Sequence, residues 1–61
     1  MPLITVKVVQ GRSIEQKRGL IKDVTAAVVK NLAVQPDSVH IDIVEYSQEN
    51  LAKGGTLFCD R

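Results

Sequence analysis

The chain has 61 residues and is predicted to be an α+β protein, a small βαβ unit followed by a C-terminal hairpin. Two apolar segments with the periodicity of strands, residues 3–9 and 39–45, flank one amphipathic segment with the periodicity of a helix. A crossover that contains a helix joins parallel strands, so we expect a parallel pair. The Gly54-Gly55 turn and the apolar segment 56–59 predict the terminal hairpin or a short final strand.

Each predicted strand has one uniformly apolar face and one mixed face. The apolar faces consist of Ile4, Val6 and Val8 in the first strand and of Val39, Ile41 and Ile43 in the second. The mixed faces consist of Leu3, Thr5, Lys7 and Val9 in the first strand and of His40, Asp42 and Val44 in the second. We expect the helix to cover the apolar faces, and another subunit to cover part of the mixed one.

The helix is predicted to begin after Ser13 and to run for about 18 residues, close to five turns at 3.6 residues each. Ser13 and Gln16 have the spacing of a capping box, and Glu15 places negative charge in the first turn. Pro36 excludes continuation of the helix. The predicted apolar stripe consists of Leu20, Ile21, Val24, Ala27, Val28 and Leu32. The charged residues between them, Lys17 included, are expected mostly at the surface.

The length predicts a single domain over residues 1–61 that is marginal alone, because so short a chain buries only about 60% of its unfolded surface. Cys59 is the only cysteine and His40 the only histidine, so an internal disulfide and a Cys/His metal site have no support. Oligomerisation is the remaining means of stabilisation.

The charge pattern excludes several classes of function. The net charge is +1, from 8 basic and 7 acidic residues, and Tyr46 and Phe58 are the only aromatic residues, which argues against nucleic-acid binding. Gly11 stands alone after the first strand, so no glycine-rich phosphate loop and no cofactor is expected. The sequence has neither a membrane-spanning run nor the layout of a signal peptide, so we expect a cytoplasmic protein.

Pro2 is the first candidate for a catalytic residue. Initiator methionine is normally excised before a small residue such as proline, and excision would leave a secondary amine at the start of the first strand. Such an amine acts as a general base when it is unprotonated near neutral pH. The alternative interpretation is that Pro2 only begins a strand, where it needs no N–H for the ladder.

Taken together, Pro2, the Gly11-Arg12-Ser13 turn, the βαβ order and the Gly54-Gly55 loop resemble the 4-oxalocrotonate tautomerase family over essentially the whole chain. The resemblance implies dimers with a four-stranded sheet and two helices, three of which usually form a hexamer with active sites between subunits. It also implies a cofactor-independent isomerase that interconverts the enol and keto forms of unsaturated 2-oxo or 2-hydroxy acids.

The resemblance assigns roles residue by residue. Pro2 is the general base, Arg12 from a neighbouring subunit binds a carboxylate of the substrate, and the backbone N–H of Val9 helps to hold the substrate oxygens. His40 stands where the family has a second arginine, and Leu51 stands where it has an aromatic wall residue. A cation such as Arg12 and an apolar wall such as Leu51 both disfavour the protonated form of an amine.

The departures at His40 and Leu51 keep two alternatives open. One is a hydratase or dehalogenase of unsaturated acids, in which Glu45, Asp42 or His40 would activate water while a protonated Pro2 acts as an acid. The other is a weakly active assembly subunit of a hetero-oligomer, whose partner chain would supply the missing arginine. A monocarboxylate substrate also becomes plausible when the second arginine is absent.

Overall fold

The computed structural model describes residues 1–61 and confirms the βαβ order with a terminal hairpin. The regular elements are β1 (Leu3–Val9), α1 (Ile14–Leu32), β2 (His40–Tyr46), β3 (Ala52–Lys53) and β4 (Thr56–Leu57). Short 3-10 turns occupy Pro36–Ser38, Gln48–Asn50 and Phe58–Asp60. The last of these shortens the predicted final strand, which ends at Leu57.

β1 and β2 pair in parallel, as predicted, with Leu3 opposite His40 and Val9 opposite Tyr46. β2 begins and ends one residue later than the sequence pattern indicated. Val39 is excluded because its N–H donates to the carbonyl of Pro36 at 3.2 Å, which closes the preceding turn. Tyr46 is included because the ladder extends beyond it, to a hydrogen bond from the Gln10 N–H to the Tyr46 carbonyl at 2.8 Å.

The predicted capping box fixes the start of α1. The Gln16 N–H donates to the Ser13 hydroxyl at 3.1 Å, and the Gln16 side-chain oxygen accepts from the Ser13 N–H at 2.9 Å. The helix ends where Ala33 adopts a left-handed conformation with φ of 53°. Its 19 residues agree with the predicted length, and neither α1 nor any shorter helix has the combination of length and apolar character needed to cross a membrane.

The helix covers the apolar face of the two-stranded sheet, but the predicted apolar stripe is only partly covered. Ile21, Val24 and Val28 are half-buried, whereas Leu20 is 38% exposed and Leu32 is 59% exposed. Two strands lie only about 5 Å apart, while a helix with its side chains is about 10 Å across, so its flanks extend past the sheet. A helix of this length also overhangs seven-residue strands at its end.

Lys17 differs from the expectation of a surface position. Its side chain is half-buried under the helix, and Lys17 Nζ lies 2.8 Å from Glu45 Oε1 on β2. The ion pair thus joins the first half of the helix to the end of β2. Neither residue could be paired from the sequence alone, because their contact spans 28 positions of the chain.

The terminal hairpin turns at Gly54 and Gly55, as predicted. Both glycines have positive φ, 61° and 84°, which is the geometry of a two-residue hairpin turn that residues other than glycine adopt poorly. β3 and β4 pair antiparallel around this turn and do not join the β1–β2 sheet. The hairpin therefore adds length to the molecule without covering the sheet.

No residue of the isolated chain is buried. Its accessible surface is 4772 Å², against about 3900 Å² expected for a compact monomer of this mass. The radius of gyration is 14.6 Å, against about 10.5 Å for a compact domain of this length. The single chain thus exposes far more surface than a stable monomer does, and Leu3, at 73% exposure, lies on the uncovered face of the sheet.

We predict that Ser13→Ala lowers the free energy of unfolding by about 1 kcal/mol, because it removes the hydroxyl that caps α1. Thermal unfolding at one fixed protein concentration measures the effect. Ser47→Ala is the matched control, since Ser47 precedes a 3-10 turn and makes no side-chain cap bond. A loss for Ser47→Ala equal to that for Ser13→Ala would contradict the capping role.

Candidate active site

Pro2 lies immediately before β1 and is held by the ladder that β1 forms with β2. Its carbonyl oxygen accepts a hydrogen bond from the backbone N–H of His40 at 3.0 Å. Pro2 is half-buried, while the preceding Met1 is 81% exposed. The nitrogen of Pro2 is thus fixed to a rigid element, and the bond that joins it to Met1 is accessible.

His40 is the first residue of β2 and lies beside Pro2 at the amino end of the sheet. Its register partner is Leu3, so the His40 and Leu3 side chains are neighbours on the face that the helix leaves open. Both residues are exposed. The structure therefore brings the predicted base and the histidine together at one end of the same chain.

Arg12 lies at the opposite end, in the link between β1 and α1. It is exposed and makes no ion pair, in contrast to Arg18, which pairs with Glu15. Arg12 lines a shallow cavity of about 220 Å³ with apolar walls that include Val8 and Leu20. The N-terminus of α1 begins two residues later, so its positive dipole adds to the attraction of this region for anions.

Val9 is the last residue of β1, and its backbone N–H is directed away from β2. This follows because the Gln10 N–H donates to Tyr46 at 2.8 Å, and successive N–H groups of a strand point to opposite edges. The Val9 N–H is consequently available for a partner chain or for a ligand.

Leu51 follows the carboxyl end of β2 and is half-buried. Its carbonyl accepts a hydrogen bond from the Phe58 N–H at 2.8 Å, which ties the start of the hairpin to its end. The Arg61 guanidinium carbon lies 5.2 Å from the centre of the Phe58 ring. Leu51 thus has a fixed position in the C-terminal segment, on the carboxyl side of the sheet.

The predicted site residues fall into two groups at opposite ends of β1. The amino-end group consists of Pro2 and His40, and the carboxyl-end group consists of Val9, Arg12 and Leu51. Seven strand residues separate Pro2 from the link that carries Arg12, which at about 3.3 Å per residue is roughly 20 Å. A small carboxylate cannot bridge that distance, so one chain alone cannot use Pro2 and Arg12 on the same molecule.

Two carboxylates that were candidates for activating water already have partners. Asp42 Oδ1 accepts a hydrogen bond from the Thr5 hydroxyl at 2.7 Å, across the two strands on the open face. Glu45 is engaged in its ion pair with Lys17. These contacts account for both carboxylates structurally. They depend on the strand register for Asp42 and on the packing of α1 against β2 for Glu45, and the sequence alone gives neither.

The sequence and the fold were compared with known proteins. The model of the tautomerase enzyme family matches residues 2–61. A probable tautomerase of Bradyrhizobium diazoefficiens is 48% identical over 61 residues, which are all of this chain and 91% of that protein.

Solved structures agree with this assignment. A 4-oxalocrotonate tautomerase isozyme from Methylibium petroleiphilum superposes with a TM-score of 0.92 at 38% identity, covering 95% of this chain and 91% of that one. A heterohexameric 4-oxalocrotonate tautomerase from Chloroflexus aurantiacus gives 0.92 at 28% identity, with 98% and 97% covered. The fold is the tautomerase fold. The chain belongs to the tautomerase family, and this membership indicates an isomerase with a tautomerase-type function.

Proposed function

We propose that the protein is a cofactor-independent tautomerase that interconverts the enol and keto forms of unsaturated 2-hydroxy and 2-oxo acids. The observation that carries this proposal is the position of Pro2. It stands at the rigid amino end of β1, held through its carbonyl by the backbone N–H of His40, and it follows the exposed Met1. The proposal requires removal of Met1, because only then does Pro2 carry a free secondary amine.

The reaction moves one proton and leaves the amine unchanged. The Pro2 nitrogen accepts the proton of the 2-hydroxyl group, and the oxygen electrons form the 2-oxo group. The conjugated double bonds shift toward a distal carbon, which takes the proton back from the Pro2 ammonium. A single base is sufficient, since the proton that it removes is the proton that it returns.

Arg12 serves as the carboxylate clamp. Its guanidinium has two parallel N–H donors that match the two oxygens of a carboxylate, and no acidic side chain of its own chain occupies them. The Val9 N–H, which is directed away from β2, lies at the same end of the sheet as Arg12. It is suited to donate a hydrogen bond to an oxygen of the substrate. Leu51 supplies apolar surface that limits water in the site.

Assembly completes the site, with Pro2 of one chain and Arg12 of another facing one substrate. The absence of any buried residue and the excess surface of the isolated chain support this arrangement. We propose a dimer with a continuous four-stranded sheet as the minimal unit, with three dimers forming a hexamer. The heterohexameric relative from Chloroflexus aurantiacus supports a hexamer of this fold.

We predict that Pro2→Ala lowers kcat/KM for 2-hydroxymuconate or phenylenolpyruvate by about 10- to 100-fold, less than a complete loss of the base because alanine keeps an α-amine. Initial rates follow the loss of the enol absorbance. Intact mass must first show that Met1 is absent from both proteins. Equal rates for wild type and variant would remove Pro2 from the mechanism.

We predict that Arg12→Ala lowers kcat/KM by about tenfold or more, the effect of losing a hydrogen bond to a charged group. Arg18→Ala is the matched control, because it removes an arginine of the same helix terminus whose exposed pair with Glu15 contributes little. A comparable loss in both variants would mean that the general positive charge attracts the substrate, and would contradict a specific clamp.

We predict that the two weakened variants complement one another when Pro2→Ala and Arg12→Ala proteins are unfolded, mixed in equal amounts and refolded together. If each site takes Pro2 and Arg12 from different chains, roughly a quarter of the sites in a random mixture regain both. Refolding each variant separately before mixing is the control. Recovery no greater than that of the separately refolded chains would contradict a shared site.

A further inference from the structure

We propose that Lys17 is a positioning residue of the site: by holding the carboxylate of Glu45, it keeps the Arg12 guanidinium free to bind the carboxylate of a substrate. The inference rests on the proposed function, because it takes Arg12 as the clamp. Two cations and one carboxylate lie together at the carboxyl end of the sheet, and the pairing of Lys17 with Glu45 is the one that leaves Arg12 open.

Glu45 lies on the same face of the sheet as the cavity that Arg12 borders. It is opposite Val8 in the register of β1 and β2, so the two side chains are neighbours on the face that α1 covers. Val8 and Arg12 line the same cavity of about 220 Å³. The carboxylate of Glu45 therefore belongs to the immediate surroundings of Arg12.

Lys17 lines this cavity as well, and its Nζ lies 2.8 Å from Glu45 Oε1. The Lys17 side chain is 26% exposed and that of Glu45 is 35% exposed, so salt screens this pair less than it screens a pair at the open surface. Because Arg12 and Lys17 both border so small a cavity, either cation can approach the carboxylate. In the structure Lys17 holds it.

Loss of the Lys17 ammonium leaves the carboxylate of Glu45 poorly hydrated and without a partner, which favours pairing with another cation. Arg12 is unpaired, and its parallel N–H donors fit the carboxylate of a side chain as well as that of a substrate. Glu45 then competes with the substrate at the high effective concentration of a group on the same chain. Glu15 is no such competitor, because it is 77% exposed and pairs with Arg18.

The test measures KM and kcat for phenylenolpyruvate, which has one carboxylate, on processed and assembled proteins. We expect Lys17→Met to raise KM about fivefold with kcat unchanged, as a competing ion pair worth about 1 kcal/mol would cause. Glu45→Gln alone should leave KM within about twofold of wild type, because no charged competitor remains. The double variant Lys17→Met/Glu45→Gln should return KM to within about twofold of wild type for the same reason.

The asymmetry between the two partners separates this role from that of a structural ion pair. A pair that only held α1 to β2 would be broken equally by Lys17→Met and by Glu45→Gln, with equal effects on KM. In an Arg12→Ala background, Lys17→Met should cause no further rise in KM, because the clamp that it protects is absent. Arg18→Met is the matched control: it frees the exposed carboxylate of Glu15 and should leave KM unchanged.

Each outcome decides the inference. An unchanged KM in Lys17→Met, an equal rise in Glu45→Gln, or a rise that persists in the double variant would overturn it, while a loss in Arg12→Ala would still support the clamp. Full activity of Arg12→Ala would instead remove the clamp from the proposed function, and the role of Lys17 with it. If Lys17→Met fails to assemble, the uncharged Lys17→Gln replaces it, and the same rise and the same rescue by Glu45→Gln are required.

Discussion

A sheet of two parallel strands leaves one face and both edges unsatisfied unless other chains cover them. The remaining features of this molecule follow from that constraint. One helix covers one face only, so even the best protected side chains stay half-buried, and no core forms within the chain. The Lys17–Glu45 pair and the Thr5–Asp42 hydrogen bond hold the register without supplying hydrophobic stabilisation. Burial of apolar surface must therefore come from association, which couples folding of the chain to its assembly.

The same topology divides the chemistry between the two ends of the sheet. Parallel strands joined through a helix place the start of β1 beside the start of β2, which brings Pro2 to His40. They also place the end of β1 beside the start of the helix, so Arg12 lies next to the positive end of the α1 dipole. Pro2 and Arg12 are consequently far apart in one chain, and on the proposed function they meet only across an interface. On the proposed function, assembly and activity are one event.

The sequence predicted the fold well because its local signals agree with one another. The alternation in β1, the Ser13–Gln16 box and the Gly54-Gly55 turn are each decided by neighbouring residues, and each is confirmed. The half-exposed helix stripe depends on the width of the sheet, and the half-buried position of Lys17 depends on a contact with Glu45; no local pattern encodes either. The proposed roles of Pro2, Val9, Arg12, His40 and Leu51 depend on partner chains, so a single sequence suggests them only through its resemblance to a family.

Water exclusion at the proposed interface affects the base and the specificity in the same direction. Desolvation favours the neutral form of the Pro2 amine, which is the form that accepts a proton. It also strengthens the pairing of Arg12 with a carboxylate, because charges interact more strongly at low dielectric. Yet it raises the cost of any charge that lacks a partner. A site dry enough to keep its base neutral therefore needs a cationic partner for each carboxylate that it binds, and on the proposed function Arg12 is such a partner.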